Sequence, residues 1–201
     1  MIFTIICFVI AALLVVVDQV TKVIAVDKLC GNGSYEFIPN VLHFTYVEND
    51  GMAFNLLKDH RWVYMVLSTL AIVGIIVFLI VRPQKSKILV GSLSLVVSGG
   101  IGNMIDRFTY VGVIGDTAGK HVVRDFIDVR MFGSLWPWVF NVADACVTVG
   151  GAVLFCWCLV SLIKEYAEEN KAKKLAAAVV EAVEAKTENK DEDKSEDKEE
   201  K

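Results

Sequence analysis

Four stretches of the chain are apolar for long enough to cross a bilayer, which takes about 20 residues of helix. Ile2 to Val17 is predominantly apolar, and Val20, Val23 and Ile24 carry the pattern past Asp18. Trp62 to Val81 is uncharged between Arg61 and Arg82. Ile88 to Ile105 is uncharged and rich in Gly and Ser, and Leu135 to Ile163 holds one charge, Asp144. The first stretch lacks a basic leading region and a small-x-small cleavage site, and it runs on into DQVTK. It therefore reads as a permanent span rather than a removable leader. The pattern predicts a membrane protein, mainly α: a four-transmembrane-helix bundle with spans of about 2–26, 62–81, 88–107 and 136–163.

The segments between the spans differ in character. Residues 27–61 and 108–135 form two longer connections. The first contains YEFIPNVLHFTYVENDGMAF, in which His43, Thr45 and Val47 alternate with Phe44, Tyr46 and Glu48, and turn signals stand at Pro39-Asn40 and Asn49-Asp50-Gly51. The second contains HVVRDFIDVR (121–130), also strand-like, and leads to Trp136 and Trp138, which suit an interfacial aromatic belt. A small β-sheet cradle and loop on the outer membrane face is expected. The third connection, RPQKSK, carries Arg82, Lys85 and Lys87, and Lys164, Lys171, Lys173 and Lys174 follow the fourth span. The positive-inside rule places both on the cytoplasmic side, with both termini.

Composition agrees with this class. The chain is 55% hydrophobic with a mean hydropathy of +0.52, too apolar for a soluble globule of 201 residues. The net charge of −4 comes from the tail 164–201, which has nine Lys against thirteen acids; the remainder has eleven charges of each sign. That tail is expected to be helical and then disordered, because KTENKDEDKSEDKEEK has no apolar residue. No basic stripe exists to grip a phosphate backbone, which argues against nucleic acid as a partner. Cys7, Cys146, Cys156 and Cys158 lie in apolar runs and read as buried small hydrophobes. His43, His60 and His121 are scattered, and neither HExxH nor CxxC spacing occurs, so no metal site is expected.

The polar residues inside the spans cluster by depth. Asp18 and Lys22 sit at the outer end of the first span, Asn103, Asp106 and Arg107 at the outer end of the third, and Asn141 and Asp144 near the outer end of the fourth. An intramembrane carboxylate costs roughly 2.5–3.5 kcal/mol on insertion scales and is a functional candidate by default. For Asp144 the structural alternatives are a helix cap or a pair with Arg107. Asn141, three residues earlier, is placed to orient it. Gly99, Gly100 and Gly102 would let a neighbouring helix or ligand approach closely. Asp106 and Arg107 have the makings of an ion pair, though Arg107 at a helix end also suits snorkelling. Asp18 and Lys22 form an i, i+4 pair, for which a structural role is favoured.

No GxSxG elbow occurs, and no Ser or Cys stands beside a suggestive His. Carboxylates, asparagines and an arginine remain. Two carboxylates held close share a proton, so that one takes a proton from water while the other donates to a carbonyl. That is aspartic-protease chemistry, and it needs no metal or cofactor. Spacing leaves the partner of Asp144 open among Asp125, Asp128 and Asp106.

Five motifs then point to a known family: DQVTK (18–22), NDGMAF (49–54), GGIGNMIDR (99–107), VRDFID (123–128) and FNVADA (140–145). In that order, on four spans covering most of residues 14–160, the chain resembles the lipoprotein signal peptidases, the type II signal peptidases of bacteria. The resemblance implies a membrane aspartyl endopeptidase of the bacterial cytoplasmic (inner) membrane with its active site near the outer face. It would cut lipid-modified prolipoproteins just before the diacylglyceryl-cysteine, acting as a monomer among membrane lipid. It implies Asp125 and Asp144 as the catalytic pair. Asn49, Gly51, Phe54, Asn103, Asp106, Arg107 and Asn141 would line the substrate site, with Asp18 and Lys22 supporting. Two other readings compete: a small proton-coupled transporter, which should carry polar groups through the midplane, and a catalytically silent assembly subunit.

Overall fold

The computed structural model describes residues 2–50, 61–82, 84–131 and 133–199. Four long helices carry the apolar stretches: α1 (Ile2–Leu29), α2 (Arg61–Val81), α3 (Lys87–Thr109) and α4 (Val142–Glu199). Each is long and apolar enough to cross a membrane. The chain divides into two units, Met1–Phe155 and Cys156–Lys201. The first holds α1 to α3, the start of α4 and a four-stranded antiparallel sheet.

The helices are patterned inside out. In α1 the buried residues are Cys7, Ala11, Asp18, Lys22 and Ala25, whereas Ile5, Val9, Leu13, Val16, Val20 and Ile24 are exposed. Small and polar side chains face the bundle and branched apolar ones face outward, as suits a helix whose solvent is lipid. Of the four, α3 is the most buried, and its buried side mixes Ser92, Ser94, Ser98, Gly99 and Gly102 with Val90, Leu93, Val97 and Met104. Gly102 is where α1 and α4 both press on α3. A Cβ there would lie 2.6 Å from Oδ2 of Asp18 and 3.0 Å from Cβ of Ala143. A Cβ on Gly99 would run into the backbone carbonyl of Ala143. An apolar cluster of Cys7, Leu79, Val90 and Leu93 closes the other end of this part of the bundle.

The sheet comprises β1 (Ser34–Ile38), β2 (Leu42–Asn49), β3 (Val123–Val129) and β4 (Val139–Phe140), in that order. Asn40, with φ 58°, turns β1 into β2. The β1–β2 hairpin has two unlike faces. Ser34, Glu36, His43 and Thr45 make polar contacts among themselves, while Phe37 meets Phe44 with ring centroids 5.5 Å apart. Tyr46 and Phe126 pack with Ala25 of α1, which anchors the sheet to the end of that helix.

Two expectations need correction. The fourth helix begins at Val142, not near 136. Residues 133–135 form a 3-10 turn and Val139–Phe140 pair with Asp128 and Ile127. Pro137 disfavours helix in the residue before it, and Asn141 supplies the cap. Asn141 and Asp144 thus stand at the helix terminus rather than within a span. The helix also continues to Glu199, through the run where composition predicts disorder. After Gly151 the chain has neither Gly nor Pro to break it, and Lys173 pairs with Glu169 at 2.7 Å in the favourable i, i+4 arrangement. Cys156 and Cys158 are exposed along it, unlike Cys7 and Cys146, because they face the outside of a helix in which exposure of apolar groups is general.

Candidate active site

The site is built where β4 becomes α4. Antiparallel pairing sets Phe140 opposite Ile127, so Asn141 comes level with the segment just before Ile127, where Asp125 lies. On the other side of β3, Val47 pairs with Asp125 and Asn49 with Val123, which brings Asn49 to Asp125 from a second strand.

Asn141 is the hub. It is fully buried, and its side-chain Nδ2 donates to Oδ1 of Asp125 at 2.6 Å and to Oδ1 of Asn103 at 3.0 Å. Its Oδ1 accepts the backbone N–H of Asp144 at 2.9 Å, while its own backbone N–H donates to Oδ2 of Asp144 at 3.1 Å. This reciprocal pair is a capping box at the start of α4, with Asp in the place usually taken by Glu or Gln. Capping and orientation of Asp144 are therefore one arrangement rather than alternatives. The other oxygen of Asp144 accepts Nδ2 of Asn103 at 2.7 Å. The second oxygen of Asp125 accepts Nδ2 of Asn49 at 3.0 Å. Asp125 is 2% exposed, and burial, with the Asp144 carboxylate nearby, pushes its carboxyl up to about 7.

Of the three acids that spacing left open beside Asp144, two are ion-paired elsewhere. Asp128 accepts from Arg130 and Thr45; burial opposes ionisation there, but these donors prevail and hold its carboxyl below the usual range. Asp106 is 0% exposed and is gripped by Arg124, from Nη2 at 2.6 Å, Nε at 3.2 Å and the backbone N–H at 3.0 Å. The suggested Asp106–Arg107 pair is thus replaced by Asp106–Arg124. Neighbours at i, i+1 on a helix do not face each other, and the Arg107 guanidinium lies 5.0 Å from the Tyr64 ring centroid.

Behind the two acids lies a buried ionic frame. Lys22, 0% exposed, donates to Oδ2 of Asp18 at 2.9 Å and Oδ1 of Asn103 at 3.0 Å, with Oδ2 of Asp106 at 3.4 Å. The other oxygen of Asp18 accepts the backbone N–H of Ala143 at 2.9 Å, so α1 caps α4 from outside. Gln19 bridges the frame, donating to Asp18, Asp106 and the Gly102 carbonyl and accepting from Arg124. Asp18, Lys22, Asp106 and Arg124 balance in charge, as burial demands.

Gln19, Arg124 and Glu48 escaped the sequence reading. Only their motif neighbours signalled the first two. Glu48 precedes Asn49 and accepts the N–H groups of Val113 and Ile114 at 2.9 and 3.1 Å and the hydroxyl of Thr117. Burial alone would raise its carboxyl, but those donors outweigh it and hold it below the usual range. It ties the segment after α3 to β2 next to the site. Gly51 and Phe54 lie outside the described residues.

Asp144 and Asn103 open on a cleft of about 300 Å³ between α2, α3 and α4, lined mostly by apolar groups such as Ala71, Ile72, Val96 and Val147, with Tyr64, Ser68 and Thr148 among them. Two carboxylates thus meet at one asparagine, beside an apolar groove among helices suited to a membrane. Among the described residues no group of His, Cys, Asp and Glu is placed to hold a metal. A larger apolar pocket of about 450 Å³ lies apart from this chemistry, between the end of α1 and the sheet.

The family model for Signal peptidase (SPase) II matches residues 10–160. A lipoprotein signal peptidase of Symbiobacterium thermophilum is 37% identical over 147 residues, 73% of this chain and 90% of that protein. One from Streptococcus agalactiae is 34% identical over 162 residues, 81% of this chain and 94% of that protein. A bacterial membrane enzyme structure at 1.9 Å superposes with a TM-score of 0.64 at 29% identity, over 76% of this chain and 92% of that one.

Proposed function

The chain belongs to the signal peptidase II family, and from that premise we propose that it is a membrane aspartyl endopeptidase. It removes the signal peptide from diacylglyceryl-modified prolipoproteins and cuts just before the lipid-bearing cysteine. The observation that carries this reading is the single Asn141 side chain that donates to Asp125 and clamps Asp144. Carboxylates coupled in this way share a proton and activate water without help.

The substrate signal helix lies in the groove between α2, α3 and α4, where its apolar side chains replace lipid. The diacylglyceryl chains remain in hydrocarbon and hold the scissile bond at the level of the acids. One acid takes a proton from water as its oxygen attacks the carbonyl; the other protonates the carbonyl oxygen and later takes that proton back as the amine leaves. Asn49 and Asn103 orient the acids, and Arg107, at the same end of α3, binds substrate carbonyls. Asp18, Lys22 and Asp106 support the site from behind. One copy supplies both acids, so the enzyme acts as a monomer. It resides in the bacterial cytoplasmic membrane with both termini inside and the site at the outer face, as the basic residues at 82–87 and 164–174 support.

The direct test is purified full-length protein in detergent given a precursor with and without its diacylglyceryl group. Release of signal peptide from the lipidated form alone supports the reading. Equal cleavage of both forms, or of neither, contradicts it.

A further inference from the structure

Lys22 is a fully buried ammonium one contact removed from the acids, with no evident use beyond charge balance. An ammonium has only donors, so whatever atom of Asn103 faces it must be an acceptor. That atom is Oδ1, 3.0 Å away, which also receives Nδ2 of Asn141. A flipped Asn103 would set its amide N–H groups against two donors. Nδ2 of Asn103 is thereby forced to point at Asp144, 2.7 Å away. The other Asp144 oxygen faces a backbone N–H, which can only donate. Asp144 also occupies the first turn of α4, where the helix dipole favours a negative group.

Asp125 differs. It also accepts two donors, Nδ2 of Asn49 and Nδ2 of Asn141, but it lies on strand β3 rather than in the first turn of a helix, and it is 2% exposed while Asp144 borders an open cleft. We propose that Lys22 is a positioning residue that locks the Asn103 amide and so assigns the proton of the pair: Asp144 is the ionised member that activates water, and Asp125 carries the proton. The inference rests on the reading of these two acids as the catalytic pair. In the forward step the water oxygen bonds the carbonyl carbon, its proton passes to Asp144, and the Asp125 proton passes to the carbonyl oxygen. On breakdown the C–N bond breaks, the Asp144 proton goes to the departing nitrogen, and Asp125 recovers a proton from the gem-diol. Water and one amide become one acid and one amine.

The groups that bear on Asp144 are Asp18 and Lys22 from α1, Asn103 from α3, the Asn141 cap and Asp125 from β3, with Asp106 and Arg124 behind Lys22. Lys22→Met removes the ammonium and releases the Asn103 amide. Expected is a fall in kcat of about 10²-fold with KM within about twofold. The acidic limb of the pH–rate profile should move about one pH unit upward, because the ionised base has lost support. Asp18→Asn with Lys22→Met keeps the frame balanced in charge and should show the same shift. Wild-type kcat and profile in either folded variant overturns the inference. The unaltered chain provides a test independent of those variants: infrared difference spectra at mildly acidic pH should show a protonated carboxyl band that Asp125→Asn removes and Asp144→Asn retains. Loss of the band in Asp144→Asn alone overturns the assignment. Wild-type turnover by Asp125→Asn or Asp144→Asn would instead refute the catalytic pair itself.

Discussion

The side-chain amide of Asn141 donates to Oδ1 of Asp125 at 2.6 Å. The same residue caps α4 through the backbone N–H of Asp144. Cap and acid alignment therefore fail together. Asn141→Ala should cost about 0.5–2 kcal/mol as a lost cap and lower kcat about 10²-fold through misplacement. Thermal melting in detergent and steady-state kinetics on one preparation check both. A large melting change with unaltered kcat would separate two roles that the structure joins.

Asp125 makes stability depend on pH. Folded, it keeps its proton to about pH 7; unfolded, only to about pH 4. Between those values the folded chain binds more proton. This contribution is fully present below about pH 4 and is lost as pH rises toward 7. The melting temperature should fall across that window, and Asp125→Asn should flatten the fall. An unchanged slope in the variant would show that the carboxyl titrates normally.

Arg124 and Asp106 form a buried ion pair with side chains 7% and 0% exposed. Arg124→Met removes the guanidinium and leaves Asp106 with Lys22, Gln19 and the backbone N–H of residue 124, and should cost about 3–5 kcal/mol. Adding Asp106→Asn to that variant should recover part of the loss, measured by chemical or thermal unfolding. No recovery would indicate that packing of the Arg stem, not charge, is what matters.

Gly102→Ala places a Cβ 2.6 Å from Oδ2 of Asp18, an oxygen already held by Lys22 and Gln19. Overpacking of this kind typically costs about 1–3 kcal/mol. The variant should insert and accumulate but melt earlier and turn over more slowly. Activity and melting equal to wild type would mean that α1 and α3 can part without consequence.

The tail offers a contrasting expectation. All described site residues fall within Met1–Phe155. Removing residues 176–201 should leave kcat/KM within about twofold, a change under 0.5 kcal/mol. Loss of turnover would implicate the acidic tail in the chemistry or in delivery of substrate.

The sequence revealed the spans because lipid imposes a strong and local signal: twenty apolar residues are legible without knowing what they touch. The clustering of the candidate site's polar residues was legible for a related reason, since polar groups stand out against that apolar background. Its wiring was not. Arg124 reaches Asp106 by strand register across 18 positions, whereas the adjacent Arg107 seemed the natural partner and points to Tyr64. Gln19 sat inside a recognised motif but, being neutral, drew no attention. Asp144 seemed to stand inside a span because Trp136 to Phe140 are apolar. In the fold Trp136 to Trp138 belong to no helix or strand, and Val139–Phe140 are a short strand that ends at the Asn141 cap. Spacing along the chain could not choose Asp125 over Asp106 and Asp128. Three-dimensional pairing separates them, because the other two hold arginines.

The most direct measurement is signal-peptide release from a lipidated precursor by purified Asp125→Asn and Asp144→Asn. Each substitution removes one ionisable group and preserves shape. Both proteins should accumulate in the membrane, and each should lose at least about 10²–10⁴-fold in turnover. Cleavage at the wild-type rate by either one would contradict the catalytic pair.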